Sequence, residues 1–177
     1  LTKSDIETLV KNQIMRFNED TLGGFDTVMR YSKLCSAIDK AEKSITNNNT
    51  RIILFYDLNP MYNVTTRYTV KLNNPIYRTL TPSESVISEG FYCTDEPSQV
   101  CYIDDNPQNG KLRLFYKNAQ NEKVIVRNCG TIDYSTGVLD IESLNIISIE
   151  SNSLRLRINP ASNDVVSEMN QFSMIDP

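Results

Sequence analysis

Acids and cysteines are the residues that could do chemistry in this chain, because it contains no histidine. Asp104, Asp105 and Asn106 follow one another, and side-chain oxygen atoms of this kind are the ligands that Ca²⁺ prefers. The run lacks the spaced ligands and the terminal bidentate carboxylate of a known calcium loop. We therefore expect a solvated turn before Pro107 rather than a metal site.

The four cysteines do not form the CxxC spacing of a zinc or redox motif. They are Cys35, Cys93, Cys101 and Cys129. The sequence favours reduced, partly buried thiols. Cys93 and Cys101 flank an acidic loop, and they are the pair we expect to join if the compartment is oxidising.

The absence of histidine also bears on catalysis. Histidine is the usual general base near neutral pH, the common zinc ligand and the partner of the nucleophile in hydrolase triads. Gly23 and Gly24 precede a predicted helix, but no phosphate-binding motif surrounds them, and a hinge is the better interpretation. We predict that the chain is not an enzyme and has no catalytic residues, no cofactor and no metal.

Charge and hydropathy exclude further classes. The chain has 177 residues with 18 basic and 22 acidic side chains, a net charge of −4. This balance argues against nucleic-acid binding, which depends on a basic face, and against attachment to anionic membranes. The apolar run at 52–56 is far shorter than the roughly 20 residues of a membrane-spanning helix. Because the sequence begins at Leu1, we expect it to be a fragment of a longer protein.

The first 45 residues have the apolar spacing of two helices. Ser4 and Glu7 have the spacing of a capping box, in which two side chains satisfy free backbone donors of the first turn. The first helix is expected to end at the glycines after Leu22, and a second is predicted over 26–43. The apolar stripes are Ile6, Leu9, Val10, Ile14 and Phe17 in the first helix, and Val28, Tyr31, Leu34, Cys35, Ile38 and Ala41 in the second.

From Arg51 onward the apolar period changes to two. The clearest example is Val64 to Leu72, where apolar residues alternate with polar ones, as in a half-buried strand. We predict an α+β fold, with a short helical region over 1–50 and a mostly antiparallel β domain over 51–177. Further strands are predicted at 51–56, 90–93, 99–103, 111–116, 123–127, 138–141, 145–150 and 153–158.

The stretch from Gly130 to Ile141 predicts a tight β-hairpin. Two strand-like segments flank Tyr134-Ser135-Thr136-Gly137. Gly137 stands where a hairpin bulge requires a left-handed backbone conformation, which glycine adopts without strain. Nothing in this stretch has the residue types of a catalytic site.

Three segments, in this order and spacing, resemble a known protein family. They are the Leu22–Phe25 break leading into Val28–Leu34, the Gly130–Gly137 hairpin, and the ending from Asn163 to Gln171. Together they are similar to the C-terminal part of the baseplate wedge protein of T-even-type contractile-tailed phages, the J-like ring component. The resemblance extends over most of the chain, and the family protein is longer at its N-terminus.

The resemblance implies a structural role in the virion, at the phage tail baseplate, with assembly in the host cytoplasm. Proteins of that family dimerise within a wedge, contact other baseplate wedge proteins and link neighbouring wedges into a ring around the tail hub. The family needs no catalytic residues, so none are carried over. On this basis we expect a homodimer or larger homo-oligomer.

The helical region is the predicted contact between copies. Each helix has one apolar stripe, and an uncovered stripe tends to mark an interface. Large side chains dominate interface energetics, so Phe17, Met29 and Tyr31 are the candidate anchors. The alternative is a carbohydrate- or receptor-binding β module, which the nine tyrosines invite. Tyr68, Tyr116 and Tyr134, however, lie in or beside strand patterns, where half-buried tyrosine is common.

Overall fold

The computed structural model describes residues 2–22, 28–80 and 84–166. Two helices near the N-terminus are followed by antiparallel strands, which confirms the predicted fold class. The chain forms two compact units, Leu1–Ile53 with Ser162–Pro177, and Leu54–Ala161. Residues 162–166 therefore belong with the helices, which the apolar pattern did not indicate.

Helix α1 spans Lys3–Phe17 and continues into a short π-helical segment, Asn18–Leu22. Its capping box is formed by Thr2 and Asp5: the Asp5 N–H donates to the Thr2 hydroxyl at 3.3 Å, and the Thr2 N–H donates to the Asp5 carboxylate at 2.7 Å. The capping box predicted at Ser4 and Glu7 is therefore wrong. Ser4 lies inside the helix, where its carbonyl accepts a hydrogen bond from the Thr8 hydroxyl.

Helix α2 spans Tyr31–Asp39, so it is shorter than the predicted helix over 26–43. Val28–Met29 forms strand β1 instead, paired antiparallel with β12, Val165–Val166. The start of α2 is fixed by Asp164, whose carboxylate accepts a hydrogen bond of 2.8 Å from the Tyr31 N–H. A carboxylate at a helix N-terminus satisfies a free donor and complements the helix dipole. The hinge predicted at Gly23 and Gly24 lies outside the described residues.

The second unit contains a ten-stranded sheet in which neighbouring strands pair antiparallel. The strands are β2 Leu54–Leu58, β3 Thr66–Lys71, β4 Val86–Ser88, β5 Phe91–Cys93, β6 Cys101–Asn106, β7 Lys111–Lys117, β8 Lys123–Asp133, β9 Val138–Leu144, β10 Ile146–Ile149 and β11 Leu154–Ile158. The main path runs β2-β11-β4-β6-β7-β8-β9-β3, while β5 pairs with β6 and β10 pairs with β5.

Strand β6 corrects the expectation for the acidic run. Asp104, Asp105 and Asn106 are the last three residues of the strand, and the two aspartates are fully buried. They are therefore not a solvated turn; the turn begins at Pro107. Strand β8 likewise continues past the predicted end at Arg127: residues 123–131 lie along β7, and residues 130–133 pair with β9.

The β8–β9 hairpin has the predicted geometry at its glycine. Gly137 has a φ of +71°, which confirms the left-handed conformation. The Asp133 carboxylate accepts hydrogen bonds from the backbone N–H groups of Ser135 and Thr136 and from the Ser135 hydroxyl. The hydroxyl donor is the largest of the causes that hold the pKa of Asp133 at about 2. The turn is thus closed by a side chain as well as by backbone geometry.

Candidate assembly interface

Helix α1 leaves apolar surface uncovered in its own unit. None of its side chains is buried, although α2, against which it packs, supplies the buried Leu34 and Ile38. Leu9 is 37% exposed, and the other members of the stripe, Ile6, Val10, Ile14 and Phe17, are half-buried. Met15 is 61% exposed and lies on the opposite side of the helix from the stripe. A second molecule could therefore remove a substantial apolar area of α1 from water.

The three candidate anchors all lie in the first unit, but their surroundings differ. Phe17 is the last residue of α1 and is half-buried. Met29 is only 4% exposed and belongs to the core of its own unit. Tyr31 opens α2 and is half-buried. Phe17 and Tyr31 thus retain surface for a partner, whereas Met29 offers very little.

The Tyr31 hydroxyl is held in place by its own unit. It donates a hydrogen bond of 2.8 Å to the Thr50 carbonyl. A hydrogen bond with the Cys35 thiol raises the pKa of Tyr31 above its usual value. The ring is therefore fixed against the segment that follows α2, and only one part of it can contribute to a surface.

The small sheet of β1 and β12 presents one apolar pair to solvent. Met29 and Val165 are paired across it and buried, whereas Val28 and Val166 are paired and exposed. The alternation follows from the pleat of a strand, in which neighbouring side chains point to opposite faces. The sequence pattern did not identify this surface, because its two strands are separated by more than a hundred residues.

An open groove of about 360 Å³ lies along α1 and α2. Lys33 and Lys40 are seven residues apart in and just after α2, so they lie two turns apart on one face. Neither lysine forms an ion pair with any residue that the structure describes. The groove is therefore positively charged and suited to carboxylates. Its lining is Gln13, Ser32, Lys33, Ser36, Ala37 and Lys40.

The carboxylate of Asp104, the first candidate calcium ligand, is occupied by cations of the protein itself. The Arg113 guanidinium donates two hydrogen bonds to it, at 2.9 and 2.7 Å. The Lys123 ammonium lies 2.6 Å from the same carboxylate and also pairs with Glu84. Burial lowers the pKa of Lys123, but the hydrogen bonds to the two carboxylates outweigh it and raise the pKa.

Asp105 is satisfied by neutral donors. Its carboxylate accepts the backbone N–H groups of Ser85 and Val86, at 2.7 and 2.8 Å, and the Tyr134 hydroxyl at 2.7 Å. Burial and the hydrogen bond to Asp105 together raise the pKa of Tyr134. The two aspartates thus tie β6 to β4, β7, β8 and the hairpin turn. Within the described residues, no group of three acids, cysteines or histidines could hold a metal ion.

The tyrosines predicted to be half-buried in strands, Tyr68, Tyr116 and Tyr134, are so. The Tyr134 ring is covered by the Arg78 guanidinium, 5.4 Å from its centroid. That face of the ring is therefore not open for stacking on a sugar. None of the described helices has the length and apolar character needed to cross a membrane.

Residues 1–57 match the family model described as baseplate structural protein gp6, C-terminal domain III. In a comparison with curated proteins, the chain has no significant match. The match includes α1, α2 and the groove between them. It contains the first of the three resembling segments, whereas the β8–β9 hairpin and the C-terminal segment lie beyond it. About a third of the chain is therefore similar to a domain of a structural protein of phage baseplates.

Proposed function

We propose that the chain is a structural subunit of a phage tail baseplate wedge that links neighbouring wedges into a ring around the hub. The observation that carries the proposal is the similarity of residues 1–57 to a baseplate structural domain. In this proposal the helical region over 1–50 contacts a second copy, and the β domain contacts other wedge proteins. Neither contact involves bond-making chemistry.

The surface of α1 supports a contact between copies. An interface needs large apolar side chains that a partner can cover, and Leu9 and Phe17 provide them on the stripe of α1. Tyr31 adds a fixed aromatic ring near the start of α2. Met29 is buried inside the unit and anchors strand β1, whose other residue, Val28, is exposed to a partner.

Charge on the same unit is self-complementary. Lys33 and Lys40 form a positive groove, while Glu19 and Asp20 are exposed on the π-helical segment after α1. Among the described residues these two acids form no ion pair. A symmetric dimer brings the same patch of both copies together, so acids of one copy can meet lysines of the other. Such pairs steer association more than they add affinity.

The test is the mass of the chain in solution across a concentration series. Sedimentation equilibrium should give twice the 20.2 kDa of one copy, or a higher multiple, as concentration rises into the micromolar range. In stopped-flow mixing, raising the salt concentration should lower the rate of association, because exposed charges are screened. A mass of one copy up to high micromolar concentration, with binding to soluble sugars, would instead support a carbohydrate-binding module.

A further inference from the structure

Two cysteines lie side by side in the second unit. Cys93 ends β5 and Cys101 begins β6, with seven residues between them. Cys101 is paired across the sheet with Phe91. Cys93 is two residues further along, so it shares the face of Phe91 and is the diagonal neighbour of Cys101. Both cysteines are fully buried and both are free thiols.

The loop between them supplies hydrogen-bond acceptors to the Cys101 thiol. The Cys101 sulfur lies 3.7 Å from the Gln99 carbonyl oxygen and 3.9 Å from that of Glu96. Hydrogen bonding lowers the pKa of Cys93, with the Cys101 thiol the largest cause and the backbone N–H groups of Glu96 and Asp95 contributing, whereas the pKa of Cys101 is raised. Of the two thiols, Cys93 is the one that ionises more readily.

The loop is anchored to the sheet at Asp95. The Arg127 guanidinium donates to its carboxylate at 2.7 and 3.2 Å, and it also donates to the Ser143 carbonyl at 2.8 Å. This contact fixes the loop beside the two cysteines. The arrangement differs from that of an isolated core cysteine, because a second thiol lies on the neighbouring strand and the connecting loop is held in place.

Cys129 provides the contrast within the same sheet. It is 1% exposed, and burial raises its pKa to about 12. Cys35 is half-buried and belongs to the other unit. The four thiols are therefore unequal, and one pair is arranged for a reaction that the other two are not.

We propose that Cys93 and Cys101 form an oxidisable dithiol, which a hydroperoxide converts to a disulfide that closes the loop over 94–100. The Cys93 thiolate attacks one peroxide oxygen, the O–O bond breaks, and Cys93 becomes a sulfenic acid while the other oxygen leaves as water or alcohol. The Cys101 sulfur then attacks the Cys93 sulfur and expels the hydroxyl group as water. Two thiols lose two electrons and two protons, and the peroxide is reduced. Diagonal neighbours stand further apart than disulfide-bonded residues, so the loop ends must draw together.

The test treats the purified whole chain with hydrogen peroxide, blocks remaining thiols under denaturing conditions and maps them by mass spectrometry. Cleavage before Asp95 separates the two cysteines into different peptides. We expect these peptides to stay linked without reductant, the chain to lose two titratable thiols, and Cys93 to react at least about tenfold faster than Cys129. Four remaining thiols, or loss from Cys35 or Cys129 first, would overturn the proposal.

Two variants separate the steps. In Cys101→Ser the sulfenic acid of Cys93 cannot be resolved, so a dimedone adduct should appear at Cys93. The matched control, Cys129→Ser, should form the linked peptides at the wild-type rate. A wild-type rate of thiol loss in Cys93→Ser would contradict the assigned order. Circular dichroism checks that each variant folds. If a variant does not fold, the thiol map of the wild-type chain still tests whether Cys93 and Cys101 become linked.

Discussion

The Asp104 carboxylate, fully buried in β6, accepts hydrogen bonds from two nitrogen atoms, Nε and Nη2, of Arg113 on the neighbouring strand β7. The two residues face each other directly in the register. Lys123 from β8 completes the arrangement and also lies over the Phe115 ring, 4.4 Å from its centroid. An acid inside the sheet is stable there because cations on the adjacent strands neutralise it.

Removing this carboxylate should be costly. Asp104→Ala leaves Arg113 and Lys123 facing each other without the carboxylate between them. We expect the free energy of unfolding to fall by about 3 kcal/mol, in the range seen when one partner of a buried pair is lost. Urea unfolding measures it. The control is Asp140→Ala, which removes an exposed pair with Arg67 and should cost less than about 1 kcal/mol. Equal losses in the two variants would contradict this account.

The hairpin glycine should not tolerate a side chain. At Gly137 a Cβ atom would lie 2.1 Å from the Asn74 carbonyl oxygen, in addition to the strain of a positive φ. Gly110 also has a positive φ, +66°, but its nearest neighbour would be 3.4 Å away. Gly110→Ala should therefore cost about 1 kcal/mol from strain alone, and Gly137→Ala about 3 kcal/mol or more. Thermal unfolding compares them, and the account fails if Gly110→Ala is the more damaging.

Stability should fall on acidification. Arginine side chains lower the pKa of Asp57 and Asp140, and the Tyr31 backbone N–H lowers that of Asp164. Because each pKa is lower in the folded chain, the unfolded chain binds more protons in acid. The stabilisation is present above about pH 4 and is lost as pH falls through the folded values. Urea unfolding from pH 6 to pH 2 should show this loss. Asp57→Asn should flatten the curve, and a slope unchanged in that variant would contradict the assignment.

Local patterns predicted the elements whose partners are near in the chain. The alternation at Val64 to Leu72 found β3, and Gly137 marked the hairpin, because period and turn chemistry are read over a few residues. Features that depend on distant partners were missed. Val28 and Met29 form a strand only because Val165 and Val166 lie beside them.

The acidic run at 104–106 was also mispredicted because its partners are distant in the sequence. Asp104 and Asp105 have the composition of a surface turn, and only the positions of Arg113, Lys123 and Tyr134 allow them to lie inside the sheet. The available signal was one cation on each of the next two strands, Arg113 on β7 and Lys123 on β8. Reading it requires the strand order, which apolar period alone does not supply.

The most direct test of the proposed assembly role compares two aliphatic side chains of similar exposure. Leu9, in the apolar stripe of α1, is 37% exposed, and Val64 in the second unit is 47% exposed. If copies associate through the helical region, Leu9→Asp should lower the association constant at least about tenfold, because it places a charge in an apolar contact. Val64→Asp should leave the association constant unchanged. Sedimentation equilibrium of both variants gives the answer: the predicted result is weakening by Leu9→Asp alone, and equal association in both, or weakening by Val64→Asp alone, would contradict the account.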